Sequence, residues 1–376
     1  MPRFLGLMSG TSLDAIDAAL LRIDEAGHLH LEQSLAEPLP PALRERLLTL
    51  CQATSVSFAE LAYLEDAFCR HQASAATRLL AAAGLTPSDV EAIGSHGQTI
   101  EHSPYGHTGG PAYTLQLDNP SLLAELTGCR VVADFRRRDL AAGGQAAPLA
   151  PAFHDAVFRH ADEWRLVLNL GGFANLTLLP PLGSDAKVIG FDTGPANALL
   201  DAWHQRQRGG SFDADGAWAA SGRVDPTLLA KLLDDTYFKR PPPKSTGREV
   251  FHLEWLDSRL SGSESPADVQ ATLAELSAVS IARGVELVRT TYATPLPARV
   301  IPCGGGAHNA DLMARLAAHL PGISVTQADA LGWPADWLEA AAFAWLAWRR
   351  LAGLPGNLPS VTGAAGPRVL GGIYSA

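Results

Sequence analysis

Two glycine-rich turns between short apolar strands, about half the chain apart, constrain the fold more than any other feature of this sequence. One lies at 10–12 within the run 4–14, and the other lies at 170–172 within the run 166–177. Glycine lets the backbone approach an anion closely, so such turns expose N–H groups to it. Two of them in one chain indicate a duplicated fold that holds a polyphosphate from both sides, as a nucleotide phosphotransferase would.

The pattern of strands and helices also occurs twice. Short apolar or alternating strands precede amphipathic helices and a buried strand that ends at a polar turn, and the order restarts near residue 165. This predicts an α/β protein with two lobes and a nucleotide cleft between them. A chain of 376 residues with 47% hydrophobic content can bury two cores, and we predict the lobes at 1–160 and 161–376.

Charge and composition exclude several classes of protein. A net charge of −10 argues against a nucleic-acid groove, which needs a basic face. Four scattered cysteines without CxxC spacing fit a reducing compartment rather than a disulfide framework or a zinc site. The longest apolar stretch, 340–348, is too short to cross a bilayer, and the first residues show no leader pattern. We therefore expect a soluble, cytoplasmic protein with no nucleic-acid or membrane partner.

Two carboxylates are candidates for catalysis. Asp192 is predicted at the end of a strand, where it could act as a general base toward a hydroxyl or water, or cap the helix that follows. Glu339 lies in the apolar run 337–343. A carboxylate embedded there is costly unless it is paired or functional, but it faces solvent if the helix starts at Pro334.

Polar residues near predicted strand ends are candidates for substrate binding. His96 and Gln98 follow a buried strand, and they either hydrogen-bond a substrate or form a surface turn. The run 136–138 is the only concentrated basic run, and it is either a local partner of an anion or a solvated loop. The segment 244–249 mixes hydroxyls and charges after a proline run, as a mobile substrate loop or a solvated connection would.

A third glycine turn, 304–306, follows another apolar strand and strengthens the phosphate-binding interpretation. A single Ser-Gly-Thr-Ser turn is weak evidence, because Gly/Ser/Thr clusters are ordinary turns. Neither a Walker A lysine motif nor a GxGxxG fingerprint occurs at these turns, which weakens the P-loop and Rossmann interpretations.

Ten ordered segments, spread over nearly the whole chain, carry a specific resemblance. The chain resembles the anhydro-N-acetylmuramic acid kinases of the sugar kinase, Hsp70 and actin-like ATPase superfamily. The segments are GLMSGTSLDAIDA (6–18), SHGQTIEH (95–102), ADFRRRDLAAGGQ (133–145), LNLGGFANLT (168–177), GFDTGPANALLDAW (190–203), FDADG (212–216), PPPKSTGREVF (241–251), CGGGAHN (303–309), EAAAFAWLA (339–347) and LPGNLPSVTGA (354–364).

The resemblance implies a two-lobed, duplicated ribonuclease H-like fold and a kinase that uses ATP and Mg²⁺. Water would open the 1,6-anhydro bridge of 1,6-anhydro-N-acetylmuramic acid while O6 takes the γ-phosphate. The products would be N-acetylmuramic acid 6-phosphate and ADP, in cell-wall recycling and amino-sugar breakdown. The family also suggests a homodimer.

The resemblance further implies residue roles. Asp192 matches the family's catalytic base, and Glu339 matches a second carboxylate that helps to hold the water. The residues matched to ATP binding are Gly10, Thr11, Ser12, Leu13, Asp14, Ala15, Ile16 and Asp17 in the first phosphate loop, Asn169, Gly171 and Gly172 in the second, and Gly304, Gly305 and Gly306 on the adenosine side. The predicted sugar or lactate contacts are His96, Gln98, Arg136, Arg138 and Thr193.

Three positions depart from the family pattern. Ala146 and Ala196 stand where the family usually has glycine, and each added methyl narrows the freedom of the backbone. Gly6 stands near the leading Asp of many superfamily relatives, so no residue is assigned to orient Mg²⁺. Two alternatives remain open: a kinase for a different amino sugar on the same fold, and a non-catalytic ATP-binding sensor.

Overall fold

One arrangement of strands occurs twice in the structure, a computed structural model that describes residues 1–10, 12–25, 27–107, 109–242, 244–247 and 250–376. The strands are β1 (Arg3–Met8), β2 (Ala15–Ile23), β3 (Leu29–Pro38), β4 (Ala92–Ser95), β5 (Gln98–Ser103), β6 (Tyr113–Leu117), β7 (Val131–Ala133), β8 (Arg165–Leu170), β9 (Phe173–Leu179), β10 (Ile189–Pro195), β11 (Arg299–Cys303), β12 (Ser324–Val325) and β13 (Gly372–Tyr374). The helices are α1 (Pro41–Gln52), α2 (Phe58–Ala82), α3 (Pro120–Thr127), α4 (Arg137–Leu140), α5 (Ala150–Phe158), α6 (Asn197–Arg208), α7 (Ala217–Ser221), α8 (Pro226–Leu233), α9 (Thr236–Lys239), α10 (Leu253–Asp257), α11 (Pro266–Tyr292), α12 (Ala310–His319), α13 (Leu338–Leu351) and α14 (Pro359–Thr362).

Both sheets place their first strand in the centre. The first sheet has the order β13-β7-β4-β1-β2-β3, with β2 antiparallel and β4 parallel to β1. The second sheet has the order β10-β9-β8-β11-β12, with β9 antiparallel and β11 parallel to β8. Three antiparallel strands followed by parallel ones on the other side form the ribonuclease H-like arrangement. Its repetition confirms the predicted α/β class and the duplicated fold.

The chain divides into two compact units, residues 1–153 with 337–376 and residues 154–336. The change of unit near 153 lies a few residues before the predicted boundary at 160. The C-terminal segment 337–376, however, was predicted in the second lobe and packs in the first unit. Sequence order alone did not show this return, because it depends on what α13 packs against.

Two glycines explain why α13 belongs to the first unit. The helix lies on β1, β2 and β4, and a Cβ added at Gly6 would meet the carbonyl oxygen of Ala340. A Cβ added at Gly94 would meet the carbonyl oxygen of Phe343. Glycine in a strand allows another backbone to approach this closely. The helix backbone therefore rests directly on the sheet.

Three local predictions differ from the structure. The polar turn predicted at 96–99 is limited to 96–97, because β5 begins at Gln98 and pairs with β6. The helix predicted at 335–351 begins at Leu338. The helix-cap alternative for Asp192 is also wrong, since β10 continues to Pro195 and Ala196 is the N-cap of α6. Within the described residues, no helix is both long and apolar enough to cross a membrane.

Candidate active site

The candidate residues of the first unit gather at one edge of its sheet. The strands β1, β4 and β7 are parallel neighbours, so their carboxyl ends meet at the same edge. Gly10 follows β1, His96 follows β4 directly, and Arg136 follows β7. Open α/β sheets bind ligands outside the carboxyl ends of their strands. The topology therefore brings together the residues that the sequence singled out separately.

In the first glycine turn the structure describes Gly10 and Ser12, which are held from one side. The Leu13 N–H donates to the Gly10 carbonyl over 3.2 Å, and Arg44 Nη2 donates to the Ser12 carbonyl over 3.0 Å. A Cβ added at Gly10 would have nothing within 4 Å, which leaves room for a ligand against the backbone. The predicted contact at Thr11 lies outside the described residues.

The predicted first phosphate loop is shorter than the run 10–17. Ala15, Ile16 and Asp17 already belong to β2, where their backbones pair with β3. The side chains of Leu13 and Ile16 are buried in the core, so neither can reach a ligand. Asp14, by contrast, is exposed and forms an ion pair with Arg44 at 3.0 Å.

The second and third glycine turns follow parallel neighbours, β8 and β11, and therefore lie beside each other. Gly304 has a φ of +76°, which favours glycine, and a Cβ there would meet Asn169 Oδ1. A Cβ at Gly306 would lie 2.8 Å from Leu170 Cβ, whereas Gly305 is open. Close packing of Gly304 and Gly306 on β8 explains the need for glycine at both positions.

The N-terminus of α6 anchors the second turn. The backbone N–H of Asn197 donates to the Gly171 carbonyl over 3.1 Å, and that of Ala198 donates to the Gly172 carbonyl over 2.9 Å. The Asn197 side chain adds a hydrogen bond to the Leu170 carbonyl at 3.0 Å. The conformation of this turn is thus set by the helix behind it as well as by its glycines.

Asp192 lies at an irregularity of β10, and both of its carboxylate oxygens accept hydrogen bonds. Asn175 Nδ2 donates to Oδ1 over 2.9 Å, and the Thr246 backbone N–H donates to Oδ2 over 3.0 Å. The pairing register shifts between Asp192 and Gly194. Asp192 of β10 lies opposite Asn175 of β9, and Asn175 lies opposite Asn169 of β8. A row of three polar side chains therefore crosses the second sheet, ending beside Gly304.

The segment 244–247 packs against Asp192, so the solvated-connection interpretation does not hold for these described residues. The Asp192 N–H donates to the Lys244 carbonyl over 3.0 Å, and the Tyr237 hydroxyl donates to the Asp192 carbonyl over 2.6 Å. Lys244 is only 8% exposed, with its Nζ 4.7 Å from the centre of the Tyr237 ring. Burial, with a smaller contribution from Arg240, lowers the pKa of Lys244 to about 8, while the charge of Asp192 opposes this shift.

Replacing Lys244 with methionine is expected to raise the stability of the protein and to lower its turnover. The pKa falls from 10.5 to about 8 on folding, and each pKa unit corresponds to about 1.4 kcal/mol, so below pH 8 the buried ammonium costs up to about 3 kcal/mol. Lys244→Met should raise the free energy of unfolding by up to that amount at pH 7. The gain should shrink as pH rises from 8 to 10.5. In this range the folded wild-type lysine is already neutral, and the cost of removing the proton that the unfolded lysine still carries falls to zero near pH 10.5. Turnover should fall about tenfold or more, since the cation near Asp192 is lost.

Urea unfolding at pH 7 and pH 10, together with ADP release, measures both effects. The matched control is Lys239→Met, because Lys239 is exposed and forms its ion pair with the exposed Asp234 at 2.7 Å. Its unfolding free energy should change by about 0.5 kcal/mol or less. A less stable Lys244→Met variant with unchanged turnover would show that Lys244 serves packing alone.

The buried His96 is hydrogen-bonded to the partly buried Arg136 in the first unit, and the surface-turn interpretation of His96 is wrong. Arg136 Nε donates to His96 Nε2 over 3.0 Å, and Arg136 Nη1 donates to the Ala146 carbonyl over 2.8 Å. His96 is 5% exposed and stacks on Phe343 at 4.5 Å. Burial, then the charge of Arg136, holds the pKa of His96 well below its ordinary value, so the ring is neutral. Gln98, two residues after His96, is also buried.

A buried carboxylate, Asp139, holds the loop that carries Arg136. It accepts from the Ala146 N–H at 2.8 Å, from Asn357 Nδ2 at 2.6 Å and from the Thr362 hydroxyl at 2.8 Å. These bonds tie the loop to the C-terminal segment 354–364, which the sequence matched to the family without a role. Asp139 therefore acts on Arg136 through the Ala146 carbonyl.

The two alanines that replace family glycines differ in their backbones. Ala146 has a φ of +60°, a left-handed conformation that an alanine adopts at a cost of about 1 kcal/mol. Its bonds to Asp139 and Arg136 hold it there. Ala196 has a φ of −121° and donates its N–H to the Gly172 carbonyl, so no left-handed strain arises there.

Exposure bears on three other predicted residues. Glu339 is exposed in the first turn of α13, which agrees with the solvent-facing alternative, and its charge acts on Arg136. Arg138 is exposed, unlike the partly buried Arg136. Thr193 is 1% exposed and its hydroxyl donates to the Ala174 carbonyl over 3.3 Å, so its side chain belongs to the core. A side-chain contact of Thr193 with a sugar does not fit this placement.

Sequence reasoning missed Asn175 and Lys244 as partners of Asp192. Both lie inside segments that carried the resemblance, LNLGGFANLT and PPPKSTGREVF. Their positions inside those segments were the available signal. Asn175 is 17 positions and Lys244 is 52 positions from Asp192 in the sequence, so no local pattern shows these contacts.

Two ribonuclease H-like sheets with glycine turns at their carboxyl edges define the class of actin-like ATPases and sugar kinases. A family profile described as anhydro-N-acetylmuramic acid kinase matches residues 2–376. The chain belongs to this family, and it is an enzyme of the kinase class.

Individual relatives agree with the family match. The anhydro-N-acetylmuramic acid kinase of Chromohalobacter salexigens is 65% identical over 100% of both chains. That of Xanthomonas campestris pv. campestris is 54% identical over 100% of this chain and 98% of its own. The structure of xylulose kinase from Rhodospirillum rubrum is a distant likeness, with a TM-score of 0.46, 13% identity and coverage of 100% of this chain and 94% of its own.

Proposed function

We propose that this kinase opens 1,6-anhydro-N-acetylmuramic acid with water and phosphorylates O6, giving N-acetylmuramic acid 6-phosphate and ADP. The family and its relatives at 65% and 54% identity support the substrate. The observation that carries the mechanism is the carboxylate of Asp192, which is oriented by Asn175 and by the Thr246 N–H at 2.9 and 3.0 Å. The two hydrogen bonds fix the carboxylate in position, as a general base must be fixed to take a proton from water.

In the proposed reaction Asp192 is the general base for water. It takes a proton from the water that attacks C1, and the bond between C1 and O6 breaks with its electron pair going to O6. O6 then attacks the γ-phosphorus, and the bond to the bridging oxygen of ADP breaks. The sugar thus supplies its own nucleophile, so no second base is needed for a sugar hydroxyl. Glu339 is proposed to help hold the water, in keeping with its exposed position at the start of α13.

The glycine turns are proposed to bind ATP. Gly10 and Gly305 are the open positions where an added Cβ would have nothing within 4 Å, so backbone N–H groups there can approach phosphate oxygens. The described residues contain no group of three His, Cys, Asp or Glu that could hold a metal alone. Mg²⁺ needs only one or two carboxylates when phosphates supply its other ligands. We propose that it enters with ATP and offsets charge on the γ-phosphoryl group.

His96, Gln98 and Arg136 are proposed to bind the sugar. The arrangement of His96 against Arg136 supports this, because a neutral ring and a cation offer different hydrogen-bond donors at the same edge of the sheet.

We also propose that the protein is a cytoplasmic homodimer that acts in cell-wall recycling. Light scattering on the purified chain tests the dimer.

The deciding experiment measures ADP release by the purified protein with Mg-ATP, with and without 1,6-anhydro-N-acetylmuramic acid. Strong stimulation and a 6-phosphorylated reducing product are expected. When the reaction runs in ¹⁸O-labelled water and is quenched rapidly, the label should enter the product at C1 and not in the phosphate. Stimulation by another amino sugar alone would replace the substrate, and tight ATP binding without any turnover would favour the sensor.

A further inference from the structure

The hydroxyl of Thr246 is a polar group beside Asp192 to which the proposed function gives no role. The Thr246 backbone N–H donates to Asp192 Oδ2 over 3.0 Å, so the residue is in direct contact with the proposed base. Its side-chain oxygen Oγ1 is buried, although the residue as a whole is only half-buried, and no described residue supplies this oxygen with a hydrogen-bond partner. A buried polar group without a partner is costly and rare in native structures. The hydroxyl therefore indicates a ligand that the polypeptide itself does not provide.

The position of this hydroxyl relative to the carboxylate is fixed. The Asp192 N–H donates to the Lys244 carbonyl over 3.0 Å, so the segment that carries Thr246 is bonded to the backbone of Asp192 as well as to its carboxylate. The Tyr237 hydroxyl donates to the Asp192 carbonyl over 2.6 Å and adds a further bond to the same residue. No hydrogen bond joins Thr246 Oγ1 to the carboxylate directly. A water molecule that bridges the two groups is the arrangement that satisfies the hydroxyl.

The proposed reaction uses a water molecule beside Asp192. Asp192 takes one of its protons, and Glu339 is proposed to help hold it. Ionised carboxylates can only accept hydrogen bonds from the water, whereas a hydroxyl can also donate one to it. A donor to one lone pair of the water leaves its other lone pair for C1. Thr246 can therefore make the kind of contact with the water that the two carboxylates cannot make.

We propose that the Thr246 hydroxyl donates a hydrogen bond to the attacking water and orients it between Asp192 and C1 of the sugar. The inference rests on the proposed function, because this water is the nucleophile that opens the anhydro bridge. Thr246 forms and breaks no covalent bond in this role. Its contribution is orientation, and a misplacement of about 1 Å can lower a rate about 100-fold. The hydroxyl therefore acts on the rate of the chemical step rather than on the binding of sugar or ATP.

Thr246→Val tests this role, because valine has nearly the same shape without the hydroxyl. The single-turnover rate with 1,6-anhydro-N-acetylmuramic acid and Mg-ATP should fall about 10- to 100-fold, while the half-saturating concentrations of both substrates should stay within about threefold. Thr246→Ser, which retains the hydroxyl, should recover most of the rate. The urea midpoint of Thr246→Val should equal or exceed that of the wild type, because a buried hydroxyl without a partner is removed.

A double variant shows whether Thr246 and Asp192 act on the same water. Adding Thr246→Val to Asp192→Asn should lower the rate further by about threefold or less, because groups that act as a unit are strongly non-additive. The matched control is Thr290→Val, since Thr290 is an exposed threonine of α11 whose hydroxyl donates to the Glu286 carbonyl over 2.9 Å. This control should keep the wild-type rate.

Other results would overturn the proposal. A higher half-saturating concentration of the sugar with an unchanged rate would assign the hydroxyl to the sugar instead of the water. A lower urea midpoint in Thr246→Val, with its full loss of rate repeated in the Asp192→Asn background, would indicate a structural role. A wild-type rate in Thr246→Val would leave the hydroxyl without a part in the reaction.

A failure of the proposed function gives a different result. If the wild type does not turn over the anhydro sugar, a high-resolution crystal structure of the purified protein tests the water site directly. An ordered water within hydrogen-bond distance of both Thr246 Oγ1 and the Asp192 carboxylate, lost in Thr246→Val, would support the site without the reaction. Electron density without a water at Thr246 Oγ1 in the wild type would overturn it.

Discussion

Asp192→Asn should lower kcat with 1,6-anhydro-N-acetylmuramic acid by about two to four orders of magnitude, which is the usual contribution of a general base. The amide cannot take a proton from water, and its NH₂ group would face one of the two donors that now hold the carboxylate, Asn175 or the Thr246 N–H. ATP binding should change little, because the glycine turns do not depend on this side chain. Single-turnover kinetics and nucleotide titration measure the two properties separately.

The matched control is Asp185→Asn, an exposed aspartate in the loop between β9 and β10. Its turnover should equal that of the wild type. If Asp192→Asn also kept wild-type turnover, Asp192 would have only a structural role in the bulge of β10. A loss of ATP binding in parallel with turnover would instead point to a disturbed second unit.

Gly94→Ala is expected to produce the largest loss of stability. The added Cβ would meet the backbone carbonyl of Phe343 and lie 3.1 Å from Ala347 Cβ, so α13 would have to move off the sheet. Neither atom can rotate away, and overpacking of this kind costs about 1–3 kcal/mol or more. Because α13 also carries Glu339, turnover should fall with stability. Urea unfolding followed by circular dichroism measures the loss.

Gly10→Ala provides the comparison for stability, since a Cβ at Gly10 would have nothing within 4 Å. Its free energy of unfolding should change by less than about 1 kcal/mol, even if nucleotide binding weakens. Equal stability of Gly94→Ala and wild type would mean that α13 does not rest on β4 as described.

Much of the fold could be predicted because its signals are local. The strand predicted at 4–8 is β1 at Arg3–Met8, and the long helices predicted at 57–82 and 268–290 are α2 and α11 within two residues at each end. Alternating or helical spacing of apolar residues is sufficient for such elements. Gln98 shows the limit, because its membership of β5 depends on pairing with Leu117, nineteen positions away.

The candidate site shows the same division more sharply. His96, Arg136 and Asp192 could be singled out because they follow or end predicted strands, and the parallel topology then brings such ends together. Thr193, one residue after Asp192, was grouped with them but turns its hydroxyl to the Ala174 carbonyl. Adjacent residues of a strand point to opposite faces, so proximity in sequence does not imply a shared environment.

The sequence by itself determined that the fold is duplicated, that it is α/β, and that the chain belongs among the anhydro-N-acetylmuramic acid kinases, because these follow from local periodicity and ordered motifs. Only the tertiary structure decided that α13 returns to the first unit, that Lys244 is buried near Asp192, and that His96 is buried against Arg136. These properties depend on burial and on contacts between distant positions, and both the pKa of a group and its free hydrogen-bonding capacity are set by those surroundings.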